Sequence, residues 1–379
     1  MNVLVIPSWY PNGTDKLMGI YHKEFTEALI KNNISANMLY IDRQRLNAPF
    51  KYLFMKKHEL IHEEHYDVHI TKMLDIHKIS FNLEIKKYTR VLEASFLKYL
   101  KNNPKPDIIH AMVTIPAGYA ACVIGKKYNI PVVVTEHASY FKRFFTGKNK
   151  KYGEYVLENS YFSTVSNYMA EEIKEISNIK CDVLPNLVET ADFKAERKKI
   201  KDLKLITVAA LRQGKRVDDI FEALKIITEN YHAKNVSLTV IGDGFLEDYY
   251  KRRCSELNMD KYVSFVGRKN KYEIAELLKS HNLYVISSDK ETFCISGIEA
   301  LASGIPIVST KCLGPEEYIN EEVGKLIEVG NPEDMAKSIM EVYQNMDNYQ
   351  ISKLREVADQ YSSKNIIKKA TKIYKSLLK

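Results

Sequence analysis

Two glutamates stand at the ends of the short segment "ETFCISGIE", in which seven residues separate Glu291 from Glu299. The apolar run "NLYVISS" precedes this segment and Gly304 follows it, which predicts a strand, a loop that carries Glu291 and a helix that contains Glu299. The first N–H groups of such a helix, near Ile295 and Ser296, would form an anion site suited to a diphosphate. The pattern therefore predicts carboxylates on both sides of a phosphate site.

The length of the helix decides what the second glutamate could reach. A residue about five positions along a helix lies roughly 7–8 Å further along its axis, which is about the distance from a diphosphate to the ribose. A carboxylate there can accept hydrogen bonds from two ribose hydroxyls, while Glu291 can reach a sugar on the other side of the phosphates. The spacing suits a nucleotide sugar. The alternative is that both glutamates are solvated surface residues, as most glutamates are.

Length and composition restrict the class of protein. A chain of 379 residues exceeds what one hydrophobic core usually serves, so two domains are expected. The formal net charge of +8 is compatible with anionic ligands or an anionic membrane surface and does not require nucleic acid. Five dispersed cysteines without a CxxC spacing indicate neither a disulfide framework nor a zinc ribbon. With no export leader and no apolar stretch of about 18 residues, we expect a cytoplasmic protein, soluble or peripheral.

Short β-branched runs alternate with amphipathic runs along the chain, and the series restarts near residue 203. This alternation predicts an α/β fold with two Rossmann-like parallel sheets, joined by a linker at 186–202. We expect domains at 1–190 and 191–360, followed by a C-terminal helix at 361–379 that could pack back on the first domain. Residues 43–90 fit the alternation poorly and are interpreted as an excursion between early strands. A ligand is expected between the domains, at the carboxyl ends of the strands.

The segment from Glu291 to Glu299, with "EALASGIPIVST" and "GPEE" after it, resembles the E-x7-E signature of retaining GT-B glycosyltransferases, in particular family 4 (group 1). Segments such as "DIIHAMVTIPAGYAA", "VVVTEHASY" and "VIGDGFLEDYYKRRC" follow the family's order, and the resemblance covers nearly the whole chain. It implies a GT-B architecture whose acceptor-binding and nucleotide-sugar-binding domains face a central cleft. It also implies retaining transfer from a nucleoside diphosphate sugar, most commonly a UDP-sugar, without a cofactor or an essential metal.

The same resemblance implies roles for individual residues. Those implied to be catalytic are Glu291, facing the donor sugar, Lys215, on the donor phosphates, and His137, close to the reacting sugar. The implied donor contacts are Glu299, Ile295, Ser296, Phe293, Cys294, Arg212, Arg268 and Gly19, and the implied acceptor contacts are His110, Tyr10 and Lys142. Because Cys294 stands where the family often has glycine, we expect a structural thiol there and no thiol chemistry.

One position departs from the family's pattern. Where the family usually has Gly-Arg, this chain has Ala209 and Ala210, so the arginine partner of Lys215 is missing. Either Arg212 or Arg216 could supply the second positive charge, or the site could manage with one cation. The alternative is that these basic residues form a solvated face.

Several motifs have a structural alternative. His137 and His110 follow or end predicted strands and could be structural histidines, and Gly19 could be a plain turn glycine. The segment "HELIH", residues 58–62, matches the pattern of zinc peptidases, but a match of five residues is often accidental and we expect no metal site. The "GDG" at 242–244 lacks the third glycine of a dinucleotide fingerprint.

The partners expected are a nucleotide sugar and a saccharide or lipid-linked acceptor, without nucleic acid. The stretches "SYFKRFFTGKNKKYG" and "FKYLFMKK" mix basic and aromatic residues, which could rest on an anionic membrane at the cytoplasmic face or be ordinary solvated loops. We therefore expect a role in the synthesis of a cell-surface polysaccharide or glycolipid. Two rival functions are a non-catalytic nucleotide-sugar-binding subunit of a two-protein transferase and a nucleotide-sugar epimerase of the same fold.

Overall fold

The computed structural model describes residues 1–11, 18–44, 55–194, 202–231 and 235–378. The chain divides into two compact units, which we call the first unit (Met1–Pro185 with Ile366–Lys379) and the second unit (Asn186–Asn365). The division therefore falls after residues 185 and 365, whereas the sequence placed it after 190 and 360. Part of the linker expected at 186–202 lies outside the described residues.

The first unit is built on an eight-stranded sheet. Its strands are β1 (Asn2–Pro7), β2 (Ser35–Gln44), β3 (His58–His62), β4 (Asp67–Leu74), β5 (Ile108–Met112), β6 (Val132–Glu136), β7 (Tyr161–Thr164) and β8 (Asp182–Val183). Its helices within residues 1–185 are α1 (Ile20–Lys31), α2 (Phe81–Tyr99), α3 (Tyr119–Tyr128), α4 (Lys150–Asn159) and α5 (Asn167–Ser177).

The strand order of this sheet determines where side chains can meet. The order is β3-β4-β2-β1-β5-β6-β7-β8, and every pairing is parallel except that of β3 with β4. The direction in which successive strands are added reverses between β1 and β5, which is the position where open α/β sheets bind ligands. The loops that follow β1, β5 and β6 therefore lie together at the carboxyl edge.

The second unit repeats this plan with a six-stranded, wholly parallel sheet in the order β11-β10-β9-β12-β13-β14. Its strands are β9 (Leu203–Val208), β10 (Val236–Ile241), β11 (Val263–Phe265), β12 (Leu283–Ile286), β13 (Ile307–Thr310) and β14 (Gly324–Ile327). Its helices are α6 (Val217–Asn230), α7 (Glu247–Glu256), α8 (Lys271–Leu278), α9 (Ile295–Ala302), α10 (Pro332–Gln344) and α11 (Ile351–Asp359). Here the reversal lies between β9 and β12.

The central strands of both sheets are apolar because both of their faces are covered. All residues of β5, β6, β12 and β13 are buried, as expected for parallel strands between helical layers. The predicted strands "NVLVI", "VVVTE" and "IPIVST" are confirmed as β1, β6 and β13.

The interpretation of residues 43–90 as an excursion is partly wrong. Residues 45–54 lie outside the described residues, but β4 is an integral strand that pairs with β2 along seven residues from Met38 to Gln44. Only β3, antiparallel at the edge, is an addition to the parallel series.

The last helix, α12 (Ser363–Leu377), confirms the helix predicted from "NIIKKATKIYKSLLK". Ile366, Ile367, Ala370 and Tyr374 are buried on one side of it, at the spacing of a single helix face. The Tyr374 hydroxyl lies 2.6 Å from Nδ1 of His110, inside the first unit.

Candidate active site

Lys215 and Glu291 form an ion pair at the carboxyl edge of the second sheet, although they are 76 positions apart in the sequence. Lys215 lies in the loop after β9 and Glu291 in the loop after β12, so the pair sits where the strand order reverses. The two side chains are 14% and 15% exposed. A ligand could therefore reach both charges from solvent without any opening of the core.

Backbone hydrogen bonds hold Glu291 in place. Its N–H donates to the carbonyl of Cys312 at 2.8 Å, and its own carbonyl accepts from the N–H of Gly314 at 3.1 Å. The Ser288 hydroxyl donates to Oε1 of Glu291 at 2.6 Å. A Cβ atom on Gly314 would come within 2.6 Å of the backbone nitrogen of Phe293. The Glu291 loop can therefore approach position 314 this closely only because that residue is glycine. The carboxylate is thus oriented before any ligand arrives.

The loop that carries Lys215 is tied to the same neighbour. The Ser287 hydroxyl donates to the carbonyl of Lys215 at 2.8 Å, and the N–H of Asp289 donates to the carbonyl of Gly214 at 2.8 Å. Gly214 has a φ of +85°, which a side chain would strain. These bonds connect the loops after β9 and β12 directly.

The "GDG" segment supports the loop after β9 from the other side. Gly242 has a φ of +134°, and a Cβ on it would lie 1.9 Å from the carbonyl oxygen of Ala209. The N–H of Leu211 donates to the carbonyl of Asp243 at 2.7 Å. These glycines therefore allow close approach of two backbone segments.

Helix α9 begins directly behind the Glu291 loop. Cys294 precedes it with a φ of +68°, a left-handed conformation that favours glycine. Ile295 and Ser296 form its first turn, and both are only partly buried. The N–H groups of that turn have no partner within a helix that starts here, which is why such ends bind anions. The predicted end is also confirmed, since Gly304 follows with a φ of +78°.

The two residues before the helix have structural side chains. Phe293 is 1% exposed and packs its ring against those of Tyr318 and Tyr361. Burial raises the pKa of the Cys294 thiol to about 11, so it stays protonated near neutral pH. Any contact of Phe293 with a donor would have to come from its backbone, and no thiolate chemistry is available at Cys294.

Glu299 lies on the second turn of α9 and is partly buried. Its carboxylate is one of the charges that raise the pKa of Tyr284, although burial is the main cause. The Tyr284 hydroxyl accepts from the N–H of Val208 at the end of β9, at 3.2 Å. Glu299 therefore belongs to the same edge of the sheet as Lys215 and Glu291.

In the first unit, His137 lies directly after β6, within a group of aromatic rings. Its ring centre is 4.6 Å from that of Tyr21 and 5.5 Å from that of His22, and His22 stacks on Trp9 at 6.0 Å. Burial, together with His137 and His110 nearby, keeps the pKa of His22 well below its ordinary value, so His22 is neutral. The loops after β1 and β6 thus meet through these rings.

Gly19 is placed by a close backbone contact. It caps the start of α1 with a φ of +69°, and a Cβ on it would lie 2.6 Å from the carbonyl oxygen of Trp9. Both the positive φ and this contact give Gly19 a structural reason to be glycine, and its predicted donor contact stays a prediction. The beginning of α1 is held against the loop that follows β1.

Two family models match the chain. The model for "Glycosyl transferases group 1" matches residues 188–365, and the model for "Glycosyltransferase Family 4" matches residues 56–192. The matches overlap at residues 188–192 and together span residues 56–365, which is most of both units. The chain belongs to the group 1 and family 4 glycosyltransferases.

Relatives of this glycosyltransferase are similar over much of its length. It is 23% identical over 359 residues to the putative teichuronic acid biosynthesis glycosyltransferase TuaC of Bacillus subtilis, covering 89% of this chain and 88% of the relative. It is 27% identical over 301 residues to N-acetyl-alpha-D-glucosaminyl L-malate synthase of Bacillus anthracis, covering 72% and 75%. A solved structure of Anabaena Alr3699/HepE in complex with UDP superposes with a TM-score of 0.76 at 16% identity, covering 99% of this chain and 100% of that one. The predicted GT-B fold class is confirmed.

The arginines of this glycosyltransferase differ in how they are held. Arg216 binds the carboxylate of Asp219 through Nε at 2.7 Å and Nη2 at 3.0 Å, and Asp289 lies 3.6 Å from Nε. Arg212 is exposed, and within the described residues its guanidinium has no ion pair. Arg268 is engaged by Asp243 at 2.8 Å. Of the two candidates for the missing family arginine, Arg212 is the one not already bound to a carboxylate in the described part of the chain.

Glu136, the last residue of β6, is a buried polar residue whose role is not evident from the sequence. It is fully buried and accepts hydrogen bonds from the N–H of Thr114 at 2.8 Å and of Ala138 at 2.6 Å, and from the Thr114 hydroxyl. Burial raises the pKa of this carboxyl, whereas these donors oppose the shift. Glu136 joins the loop after β5 to the residues beside His137, and so positions His137. Its place between "VVVT" and a histidine is the only signal that could have suggested this.

Two predicted acceptor contacts are corrected by burial. His110 is 0% exposed, with Nδ1 at 2.6 Å from the Tyr374 hydroxyl and Nε2 at 2.8 Å from the Thr135 hydroxyl. Burial lowers its pKa to about 3. Tyr10 is also buried, and its hydroxyl donates to Glu63 at 3.0 Å. Neither side chain has surface left for an acceptor. Lys142, by contrast, is exposed and pairs with Glu172.

The zinc-peptidase alternative fails on geometry. "HELIH" forms strand β3, in which residues four apart are about 13 Å apart, whereas the zinc motif needs a helix to bring its histidines together. Among the described residues there is no group of three or more His, Cys, Asp or Glu side chains that could hold a metal ion. In the same part of the chain, no helix is long and apolar enough to cross a membrane.

Proposed function

We propose that this glycosyltransferase retains the anomeric configuration of the sugar that it transfers from a nucleoside diphosphate sugar to an acceptor hydroxyl. The observation that carries the proposal is the Lys215–Glu291 pair beside the first turn of α9, at the carboxyl edge of the second sheet. The preferred donor is a UDP-sugar, which is supported by the UDP bound to the structurally similar Anabaena protein.

The chain's own groups suggest how the donor is held. The first N–H groups of α9 bind the diphosphate, and Lys215 exchanges part of its contact with Glu291 for a phosphate oxygen. Glu299, further along the helix, accepts hydrogen bonds from the ribose hydroxyls. Glu291, partly released from Lys215, then accepts from hydroxyls of the donor sugar. Arg212 supplies the second positive charge in place of the missing family arginine.

Transfer breaks the bond between the anomeric carbon and the diphosphate oxygen, and the electron pair of that bond goes to the phosphate. The acceptor oxygen attacks the same face, and its proton passes to the departing phosphate, so no enzymic nucleophile is required. Lys215 and the helix N–H groups stabilise the charge that develops on the diphosphate, without an essential metal. His137 lines the acceptor side, where Glu136 fixes its position.

The acceptor belongs to a cell-surface polysaccharide or glycolipid precursor, and the enzyme acts as a peripheral protein at the cytoplasmic face of the membrane. The similarity to a relative named for teichuronic acid biosynthesis supports this choice. The basic stretch from Ser139 to Gly153 supports the location.

The test is a transfer assay with a panel of nucleotide sugars, preceded by thermal-shift measurements that identify which nucleotide raises the melting temperature. We expect a UDP-sugar to stabilise the enzyme, and the product to keep the donor's anomeric configuration by NMR, also with EDTA present. The absence of both transfer and slow donor hydrolysis would overturn the proposal. Binding without turnover would instead support the non-catalytic subunit, and an epimerised sugar without acceptor would support the epimerase.

A further inference from the structure

Two large aliphatic side chains are exposed at the start of α2. Ile79 is 69% exposed and Leu83 is 55% exposed. Both adjoin Ser80, which caps the helix by accepting a hydrogen bond from the N–H of Leu83 at 3.4 Å. Ile79 precedes the cap and Leu83 lies in the first turn of α2, so two exposed aliphatic side chains fall within five residues of the chain. Covering such a pair is favourable, because apolar area leaves water.

A lysine-rich segment packs against the first turn of α2, which carries Leu83. Nζ of Lys148 lies 5.8 Å from the ring centre of Phe81, and the Tyr152 hydroxyl donates to Oδ1 of Asn82 at 2.9 Å. A shallow depression of about 520 Å³ lies between the two segments. We call the surface formed by Lys78, Ile79, Leu83, Lys86, Lys148, Lys150 and Lys151 the α2–α4 face.

The charge of this face is mainly positive. All five of its lysines are exposed, and Lys150 pairs with Glu154 at 3.5 Å. Glu84, in the first turn of α2, does not offset them at the surface, because it is 2% exposed and paired with Arg43. Exposed apolar residues with a lysine rim are the combination that binds anionic bilayers at their interface.

The face also lies near the acceptor side of the first unit. Helix α2 follows β4, and the segment that carries Lys148 follows β6 and His137, so both start from the carboxyl edge of the sheet. A membrane bound here would hold an acceptor carried by a lipid close to His137 and the loop that follows β6.

We propose that the α2–α4 face is the membrane-binding surface of this protein, with Ile79 and Leu83 entering the interfacial layer and the lysines bound to anionic headgroups. The proposal deepens the proposed function, because it rests on an acceptor presented at a membrane. It adds the residues that bind the lipid, and these lie outside the donor site.

Flotation of the full-length protein with vesicles tests the proposal. We expect binding to vesicles that contain phosphatidylglycerol, weaker binding at high salt, and little binding to pure phosphatidylcholine. Each Lys→Gln substitution at positions 148, 150 and 151 should weaken binding about fivefold, which corresponds to about 1 kcal/mol per lysine. The double variant Ile79→Ser, Leu83→Ser should weaken it at every salt concentration. Matched controls are Phe245→Ser, 79% exposed, and Lys337→Gln, 66% exposed, both in the second unit.

A fluorescent residue reports insertion directly. Ile79→Trp should show a blue-shifted emission with anionic vesicles, whereas Phe245→Trp should not, each measured against the background of Trp9. The proposal is overturned if the wild-type protein does not float, or if the controls lose as much binding as the face variants. Vesicle binding that depends on the lysines and not on Ile79 and Leu83 would show that these two side chains do not enter the interfacial layer, and would overturn that part of the proposal. Self-association through this face in place of vesicle binding would make a second copy the partner.

An activity assay separates this proposal from the proposed function. Donor hydrolysis, or transfer to a soluble acceptor, should be the same in the face variants and in the wild-type protein. If these activities are present while vesicle binding is absent, the membrane surface is wrong and the transferase assignment stands. If vesicle binding follows the expected pattern while donor turnover is absent, the membrane surface stands and the proposed transfer reaction is wrong.

Discussion

The two units share the strand order around the reversal but present polar groups at their carboxyl edges in opposite ways. The second unit holds Lys215 and Glu291 partly exposed, on loops that are hydrogen-bonded to each other. The first unit buries His22 and His110 and surrounds His137 with rings. A preformed charged pair suits a ligand of constant chemistry, such as a nucleoside diphosphate. An edge whose polar groups are already buried and bonded leaves recognition to the side chains at its rim, and these can differ between enzymes that use different acceptors.

The largest expected effect tests the Lys215–Glu291 pair of the second unit. Lys215→Ala should lower the transfer rate about 100-fold or more, since it removes a cation that stabilises the leaving diphosphate, and should weaken nucleoside diphosphate binding as well. Lys225→Ala, on α6 and 40% exposed, is the control and should change neither quantity. Calorimetry and initial rates measure both. A loss of less than threefold would show that the pair is only structural.

The second prediction tests how far the loop that carries Lys215 depends on close backbone contacts. Gly242→Ala should destabilise the protein by about 3 kcal/mol, because its Cβ would overlap the carbonyl of Ala209 in a strained conformation. Gly267→Ala, also at positive φ but with open space around the added Cβ, should cost about 1 kcal/mol. Urea unfolding of the two variants gives the difference. Equal losses would mean that the contact between the loops can relax without cost.

The third prediction divides the donor between the two glutamates. Glu299→Ala should weaken nucleoside diphosphate binding by about 1.5–3 kcal/mol, because the ribose is common to donor and product. Glu291→Ala should leave that affinity nearly unchanged while transfer falls by a similar factor, because its partner is the sugar. Calorimetry beside transfer rates and melting temperatures decides the matter. Equal nucleoside diphosphate affinities for the two variants would refute this division.

The fourth prediction concerns the buried histidine His110 of the first unit and the loss of stability at acid pH. The pKa of His110 falls from 6.5 to about 3 on folding, because burial disfavours the charged ring. Above pH 6.5 both states are neutral, whereas at lower pH only the unfolded chain gains the proton, so stability falls by about 1.4 kcal/mol per pH unit. Unfolding free energies from pH 7.5 to 5 should approach at least this slope at the acid end, because the pKa of buried His22 is lowered as well, and His110→Gln should remove the share of His110. An unchanged slope in the variant would place the acid sensitivity elsewhere.

The smallest expected effect separates two arginines. Arg212→Ala should weaken nucleoside diphosphate binding by up to about 1 kcal/mol, less at high salt, since the side chain is exposed. Arg216→Ala should instead lower stability by about 1–3 kcal/mol, because the buried carboxylate of Asp219 loses its partner. Calorimetry at two salt concentrations, with urea unfolding, distinguishes them. Loss of nucleotide affinity only in the Arg216 variant would reverse the assignment.

The sequence predicted the second unit better than the first because the local patterns there are stronger. The runs that became β9, β12 and β13 are apolar and short, and Gly304 marks the end of α9. By contrast, β2 and β4 mix polar and basic residues with apolar ones, as in "DVHITKML". The segment "HELIH" matches a motif that is helical in zinc peptidases, but here it forms strand β3. Strands of this kind are specified by the neighbours with which they pair, which a local pattern does not contain.

The candidate site shows the same limit. The loop and helix from Glu291 to Glu299 could be predicted because they are continuous in the sequence. The contact of Glu291 with Lys215 could not, because these residues are 76 positions apart. His110 was expected at a surface because the sequence placed it at the end of a strand, whereas it lies in the middle of β5 and its buried ring meets Tyr374 of α12. Glu136 was missed because a carboxylate inside an apolar run is understood only when its hydrogen-bond donors are known.

Helix α12 has a consequence for the order in which this protein can fold during synthesis. The first unit is closed by Tyr374, whose hydroxyl meets His110 inside the core, yet Ile366–Lys379 are translated after the whole of the second unit. The second unit has all its residues once Asn365 has left the ribosome, whereas the first must wait with an uncovered apolar surface. The first 185 residues therefore wait through the synthesis of the whole second unit before the first unit can close, and during that interval their apolar surface is open to aggregation or to a chaperone.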